Sequence, residues 1–311
     1  MKVIQSFEEL QAIEETMTYA LGNFDGLHRG HQSIIDEAVK QAHSQGGVSL
    51  VITFDGHPLS LLAPEKAPKY ITGQEEWCQL LEPSGVDYVL ALPVTREVLS
   101  MPAPDFVKAI TAHNKVQAIV VGKNFTFGAK GAGNPDLLAE LLRGTSVQVL
   151  VKDLLQDKGE KTISSTAIRQ AIQQGHMEEA EAMLGRPFQF KGQVILGDQR
   201  GRTLGFPTMN FRLPDWLVVP PDGVYVNRVC IGGQWYGGVG NVGDNPTFTN
   251  QYHRCEVHVF DFNQDVYGQE VTVQFLHYIR GEVKFDSLDA LMEQMNQDEE
   301  EARRILEDRS F

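Results

Sequence analysis

Short apolar runs that alternate with helix-period segments constrain this chain more than any other feature. Strand-like runs fall at Thr18–Leu21, Ser49–Phe54, Tyr88–Leu92, Ala118–Val121 and Val147–Val151. Helical patterns fall among them at His31–Ala42, Gln74–Leu81, Ala103–His113 and Asp136–Arg143. Runs such as Leu50-Val51-Ile52, apolar at every position, suit strands covered on both faces. Strands alternating with helices make β-α-β units and therefore a mostly parallel sheet. A helical stretch from Gln173 to Leu184 is broken by Gly185-Arg186-Pro187, and from Phe188 the apolar period changes to two. Strand-like segments follow at Phe190–Ile195, Gly223–Cys230, Trp235–Val242, Cys255–Phe262 and Glu270–Phe275, with Gly-rich turns between them. Regularly spaced short strands predict a small barrel. An amphipathic helix over Ser287–Leu306 ends the pattern, with Leu288, Leu291, Met292, Met295 and Ile305 on one face. The predicted fold class is α/β: a Rossmann-like domain over 1–185, then a small β-barrel domain with a terminal helix over 186–311. A length of 311 residues suits two domains.

One strand-to-helix junction carries chemistry. Leu21-Gly22-Asn23-Phe24-Asp25-Gly26-Leu27-His28-Arg29-Gly30-His31 joins the buried run Met17–Leu21 to a helix bearing Ile34, Ile35, Ala38, Val39 and Ala42. In an open α/β sheet, ligands bind outside the carboxyl ends of the strands. A helix N-terminus offers free N–H groups and a positive dipole end to phosphate, and glycines let backbone approach a ligand. Histidines there can donate hydrogen bonds to charge developing on a phosphoryl group. The same pair, at i and i+3, is also compatible with chance, or with zinc, although no His-Glu-x-x-His pattern or obvious third ligand accompanies it. His-x-Gly-His after a strand and a Gly-rich turn resembles the nucleotidylyltransferase superfamily, which implies attack on the α-phosphate of a nucleoside triphosphate.

Three further stretches fall at predicted strand ends. Thr53-Phe54-Asp55-Gly56-His57-Pro58 follows the second strand, and Val121-Gly122-Lys123-Asn124-Phe125-Thr126-Phe127-Gly128 follows the fourth. Each alone reads equally well as a turn. Lys161-Thr162-Ile163-Ser164-Ser165-Thr166-Ala167-Ile168-Arg169 precedes a helix; its hydroxyls suit an N-cap. Three in a row, with Arg169 supplying planar donors, also suit a second phosphate-binding helix start. Together these stretches resemble the FAD synthetase (FMN adenylyltransferase) module of bacterial bifunctional flavin enzymes. The resemblance implies His28, His31 and Arg169 as catalytic residues, with Gly22, Asn23, Phe24, Asp25, Gly26, Ser164, Ser165 and Thr166 holding nucleotide. It implies Phe54, His57, Pro58, Asn124 and Phe125 around the flavin. Gly56 departs from the family's usual Pro, and Lys123 from a commonly acidic position.

In the second half the chemical core is Gly197-Asp198-Gln199-Arg200-Gly201-Arg202-Thr203-Leu204-Gly205-Phe206-Pro207-Thr208-Met209-Asn210. A Gly-rich loop can wrap phosphates, or merely turn the chain. Thr208 and Asn210 share one face of an extended chain, and their oxygens are hard ligands suited to Mg²⁺. Glu256, His258 and Phe260 share one strand face, opposite Val257 and Val259, and Glu256 is expected to face the barrel interior, where a carboxylate is costly unless paired or functional. As a functional group it reads as a general base for a hydroxyl. Gly238-Val239-Gly240-Asn241-Val242-Gly243 matches Gly-x-Gly-x-x-Gly, but no β-α-β unit surrounds it, so it does not predict a dinucleotide fold.

Gly-Arg-x-Leu-Gly-Phe-Pro-Thr-x-Asn, Asn241-Val242-Gly243-x-x-Pro246-Thr247-Phe248, Glu256-Val257-His258 and Asp261-Phe262 are similar to the riboflavin kinase module. The similarity implies Gly197, Gly201, Arg202 and Gly205 at the nucleotide, Thr208 and Asn210 at Mg²⁺, and Glu256 as base on the ribityl hydroxyl. Met209 replaces a usual Ala. Both modules together imply two reactions: riboflavin plus ATP to FMN plus ADP, then FMN plus ATP to FAD plus pyrophosphate. ATP, riboflavin and FMN are then the substrates. The alternatives are a flavin-binding or regulatory homologue that keeps one activity, or a transferase for another small nucleotide, against which the second module argues.

A net charge of −14 argues against a general nucleic-acid binder, which needs clustered Lys and Arg. No apolar run reaches 18 residues, so no membrane span is expected. The N-terminus lacks the apolar region of a signal peptide. Three scattered cysteines, Cys78, Cys230 and Cys255, fit neither a disulfide framework nor a zinc ribbon and are expected of a cytoplasmic protein.

Overall fold

The computed structural model describes residues 1–112, 115–157, 161–197, 201, 204–244 and 253–309. They form two compact units, one of Met1–Lys69 and Gln74–Ser164, the other of Tyr70–Gly73 and Ser165–Phe311.

The first unit is a six-stranded parallel sheet. Its strands are β1 (Lys2–Ile4), β2 (Thr16–Leu21), β3 (Val48–Asp55), β4 (Tyr88–Pro93), β5 (Lys115–Gly122) and β6 (Gln148–Lys152). They lie in the order β1-β4-β3-β2-β5-β6. All five predicted strands are present; β1 is too short, with only Ile4 buried, to leave a pattern. The helices are α1 (Phe7–Gln11), α2 (Arg29–Ser44), α3 (Leu59–Leu62), α4 (Gln74–Leu81), α5 (Arg96–Ser100), α6 (Ala103–Thr111) and α7 (Pro135–Leu141). Strand β2 is buried on both faces. Met17, Tyr19 and Leu21 pack with Phe106 and Ile110 of α6, while Ala20 packs with Ile35 and Ala38 of α2. From β2 the chain builds outward through β3 and β4, then returns to the other side for β5 and β6. Such a reversal opens a crevice at the carboxyl ends of the two strands that flank it, here β2 and β5.

The second unit is an antiparallel sheet of β7 (Phe188–Gln193), β8 (Thr208–Arg212), β9 (Gly223–Ile231), β10 (Gln234–Asp244), β11 (His253–Val259) and β12 (Glu270–Arg280). The order is β7-β12-β9-β10-β11-β8. The sheet curls until its edges meet, where Ile195 N–H donates to Asn210 O at 2.9 Å. Phe190, Phe211, Tyr225 and Phe275 fill the interior, Phe190 against Phe211 edge-on at 5.7 Å. Helices α8 (Ser165–Gln173) and α9 (Met177–Leu184) belong to this unit, with α9 packed on β12 and β7. Compactness thus changes at Ser164, whereas the apolar period changes at Gly185. Tyr70 completes the unit: its N–H donates to Trp216 O and its carbonyl accepts from Val218 N–H, both at 2.8 Å.

The last helix, α10 (Leu288–Glu307), covers the outside of the curled sheet, packing Ala302 against Val226, Phe260 and Leu276. Its predicted face is corrected in one respect. Leu288 is 56% exposed, and the buried stripe runs instead through Asp298 and Ala302. The stripe accepts an acid because Arg280 meets Asp298 with two hydrogen bonds, Nε at 2.9 Å and Nη2 at 2.6 Å.

Candidate functional site

In the first unit a cleft of about 600 Å³ opens at the carboxyl ends of β2, β3 and β5. It brings together residues from three distant stretches of sequence: Gly22, Asn23, Phe24 and His31; Phe54, His57 and Pro58; Asn124 and Phe125. The remaining lining is largely apolar, with Ile34, Ile52, Leu92 and Phe106 at the back. Two sides of His57 are accounted for: Nδ1 accepts from Leu59 N–H at 3.1 Å, and its carbonyl receives Ser60 Oγ at 2.7 Å. Lys123, beside the cleft, is paired with Asp153 at 3.4 Å on the exposed surface.

His28 caps α2. Its Nδ1 accepts the His31 N–H at 3.2 Å, so its proton sits on Nε2. The two imidazoles stack with centroids 3.5 Å apart, and Phe24 meets His31 edge-on at 5.2 Å. Burial, reinforced by His28, holds the His31 pKa well below the usual histidine range. His31 Nδ1 is buried with no protein partner among the described residues. The pair is therefore two neutral, close-packed rings at a helix N-terminus, a poor cation site and a good oxyanion site. Among the described residues no cluster of His, Cys, Asp or Glu could hold a metal. Asp25 is buried and Gly26 has φ 79 in the turn that aims α2. A Cβ at Gly30 would lie 4.0 Å from Ile163 O, so the Ile163-Ser164 segment runs beside this turn. Ser165, Thr166 and Arg169 stand on α8, in the second unit.

In the second unit strand register assembles the site. On β11, Glu256 lies opposite Asn210 of β8 and Asn241 of β10, and His258 lies opposite Thr208. Cross-strand partners project to one side, so Thr208, Asn210, Glu256, His258 and Asn241 form one patch. The patch lies on the outer face of the sheet. Cys255, Val257 and Val259 take the interior, and Glu256 is 37% exposed. This corrects the expectation that Glu256 faces the barrel interior. Period two fixes which residues share a face; the curl of the sheet decides which face is inside.

Two cavities flank the patch. One, of about 680 Å³, is bounded by Glu256, His258 and Asn241, by Val283 and Phe285, and by Leu291 and Met295 of α10. The other, of about 360 Å³, is bounded by Gly197, Pro207, Asn210, Phe262 and Tyr267. Thr208 belongs to both walls. Glu256 Oε1 accepts from Arg254 Nη1 at 3.2 Å, a partner that its i−2 spacing on one strand face offered but that the motif reading passed over. Asn241 Nδ2 donates to Glu282 Oε1 at 3.2 Å.

The metal prediction passes a test of chemistry. Asn210 is 4% exposed, its Nδ2 donates towards Thr208 Oγ1 at 3.3 Å, and its Oδ1 is buried with no protein partner among the described residues. An orphaned amide oxygen beside a hydroxyl fits a hard cation such as Mg²⁺. Gly197 is part of this arrangement, because a Cβ there would lie 2.4 Å from the Asn210 amide. Gly201 and Gly205, the latter at φ 91, turn the chain ahead of β8. Arg202 lies outside the described residues, as do Asp198–Arg200, Thr203 and the Pro246-Thr247-Phe248 motif. The Gly-x-Gly-x-x-Gly match falls inside β10, paired on both sides, as a decoy should.

Comparison with known proteins agrees with both halves of this description. The FAD synthetase family profile matches residues 10–167 and the riboflavin kinase profile matches residues 184–306. A bifunctional riboflavin kinase/FMN adenylyltransferase of Bacillus subtilis is 38% identical over 289 residues, covering 92% of this chain and 91% of that protein. One from Escherichia coli is 36% identical and covers 97% of each. A solved structure from Streptococcus pneumoniae, described as a macrolide-efflux protein, is 35% identical with a TM-score of 0.88 and covers 97% of this chain and 98% of that one. No helix among the described residues is long and apolar enough to cross a membrane. The chain belongs to the family of bifunctional riboflavin kinase/FMN adenylyltransferases, two transferases in one polypeptide.

Proposed function

We propose that the second unit phosphorylates riboflavin and that the first unit adenylylates the FMN so formed, with ATP as donor in both. The observation that carries this reading is the position of Thr208 on the shared wall of two cavities, one step along the patch from Glu256. A transfer between two substrates needs such a meeting point. The larger cavity, with its apolar helix wall, suits the flavin rings; the smaller, lined by Gly197, Thr208 and Asn210, suits the nucleotide.

Glu256 takes the proton of the ribityl hydroxyl, whose oxygen then attacks the γ-phosphorus as ADP leaves. Thr208 Oγ1 and Asn210 Oδ1 would hold Mg²⁺, which would supply charge neutralisation on the phosphates. Arg254 holds the Glu256 carboxylate in place through its hydrogen bond to Oε1. Gly197, Gly201, Arg202 and Gly205 wrap the nucleotide.

In the first unit the FMN phosphate attacks the ATP α-phosphorus and pyrophosphate leaves. His28 Nε2–H and the α2 N-terminus stabilise the charge that develops there. Gly22, Asn23, Phe24, Asp25, Gly26 and Ser164 form the nucleotide side, and Phe54, His57, Pro58, Asn124 and Phe125 the flavin side. A boundary near Gly185 separates the two activities, a reading supported by the start of the riboflavin kinase profile at residue 184. Free Cys78, Cys230 and Cys255 support a cytoplasmic location. Incubation of purified protein with riboflavin, ATP and Mg²⁺, followed by separation of flavins, should yield FMN and then FAD. Failure to form FMN would sink the assignment of the second unit; FMN without FAD would sink that of the first.

A further inference from the structure

His258 faces the same patch as Glu256 and Thr208, and the proposed reactions give it no task. Its surroundings define one. Its Nδ1 lies 2.9 Å from Pro207 O. A carbonyl only accepts, so Nδ1 carries the proton and donates. Pro207 immediately precedes Thr208, whose Cα is the register partner of His258. The imidazole is itself fixed. Phe206 and Phe260 meet it edge-on at 5.4 and 5.9 Å, and its side chain is 15% exposed. On its far side Nε2 lies 3.8 Å from Glu299 Oε2 of α10. Glu299 is held in turn by Arg303 Nε at 2.9 Å, and Arg303 reaches Asp261 at 3.1 Å while lying 4.2 Å over the Phe260 ring.

We infer that His258 is a positioning residue: from a ring held by Phe206 and Phe260, it sets the direction of the Thr208 hydroxyl through Pro207 O. Among the described residues, the pairing on the Ile195 side of β8 is to Asn210, and none reaches Pro207. A Pro cannot supply an N–H to anchor itself. Its carbonyl is therefore the backbone handle that Pro207 offers, and His258 takes it. His258 itself lines the larger cavity, across from Leu291 and Met295 of α10.

The inference rests on the reading of Thr208 as an Mg²⁺·nucleotide ligand, and the test separates the two. The full chain is titrated with Mg²⁺·ADP by calorimetry, without turnover. An Asn at position 258 places its amide N–H near the Nδ1 position, whereas a Gln reaches the Nε2 position; both are polar and small enough for the site. His258→Asn should keep affinity within about twofold of the native chain, and His258→Gln should lose about tenfold, the usual effect of removing a group that orients a metal ligand. Far- and near-ultraviolet circular dichroism should stay unchanged in both, which reports intact folding. Thr208→Ala is the control: if it binds Mg²⁺·ADP as well as the native chain, the metal reading fails. If Thr208→Ala weakens binding while His258→Asn and His258→Gln bind alike, the positioning role is overturned.

Discussion

His31 is the residue whose protonation the fold controls most firmly. An unfolded histidine binds its proton near about pH 6.5, whereas the folded ring, buried beside His28, does so only at a much lower pH. Below about pH 6.5 the unfolded chain therefore holds more protons, and stability falls as pH falls through that value. His31→Gln should lose less melting temperature than the native chain between about pH 7.5 and about pH 5.5; equal losses would place the acid sensitivity elsewhere. In activity, His28→Ala and His31→Ala should each lower FAD formation about 10²–10³-fold while sparing FMN formation. Glu256→Gln should do the reverse, by about 10²–10⁴-fold, since an amide cannot take the ribityl proton. A Glu256→Gln protein making FMN at the native rate, with chemistry limiting, would leave Glu256 a structural residue. Residue types and spacing made both sets legible in the sequence. The outward face of Glu256 was not, because alternation carries no sign. Gly56 shows another limit: its φ of 119 is a backbone state closed to proline.

Among the elements, α2 and α10 contrast. Helix α2 was legible almost whole, because one apolar stripe and one capping histidine define it. Helix α10 was legible as a helix but not in its orientation, because its most buried polar residue is an acid. Asp298 counts as surface in any hydropathy pattern until Arg280, on another element, is seen to meet it. Breaking such a pair leaves a buried charge and costs about 3–5 kcal/mol. Asp298→Ala should therefore lower stability by about that much in denaturant unfolding. Asp298→Leu with Arg280→Met should recover most of it. A single variant as stable as the native chain would show that α10 is held by its apolar contacts alone.

For the whole molecule, the sequence legibly announced two architectures but not the ownership of residues 165–184. Helical periodicity looks the same whichever sheet a helix covers. Met177, Ala180, Met183 and Leu184 are buried in the second unit, and the three larger side chains contribute on the order of 5 kcal/mol by burial. A fragment beginning at Ser165 should accordingly melt at a higher temperature than one beginning at Phe188, and retain FMN formation better. Equal melting temperatures would assign α9 no part in the stability of the barrel. Tyr70 adds a matter of timing. It belongs to a unit whose matching residues, Trp216 and Val218, are synthesised about 150 residues later, a delay of about 7–30 s at ordinary translation rates. During that interval the tyrosine is a committed part with nothing to join, and its two partners are made before β12 (Glu270–Arg280), the strand that closes the sheet onto β7.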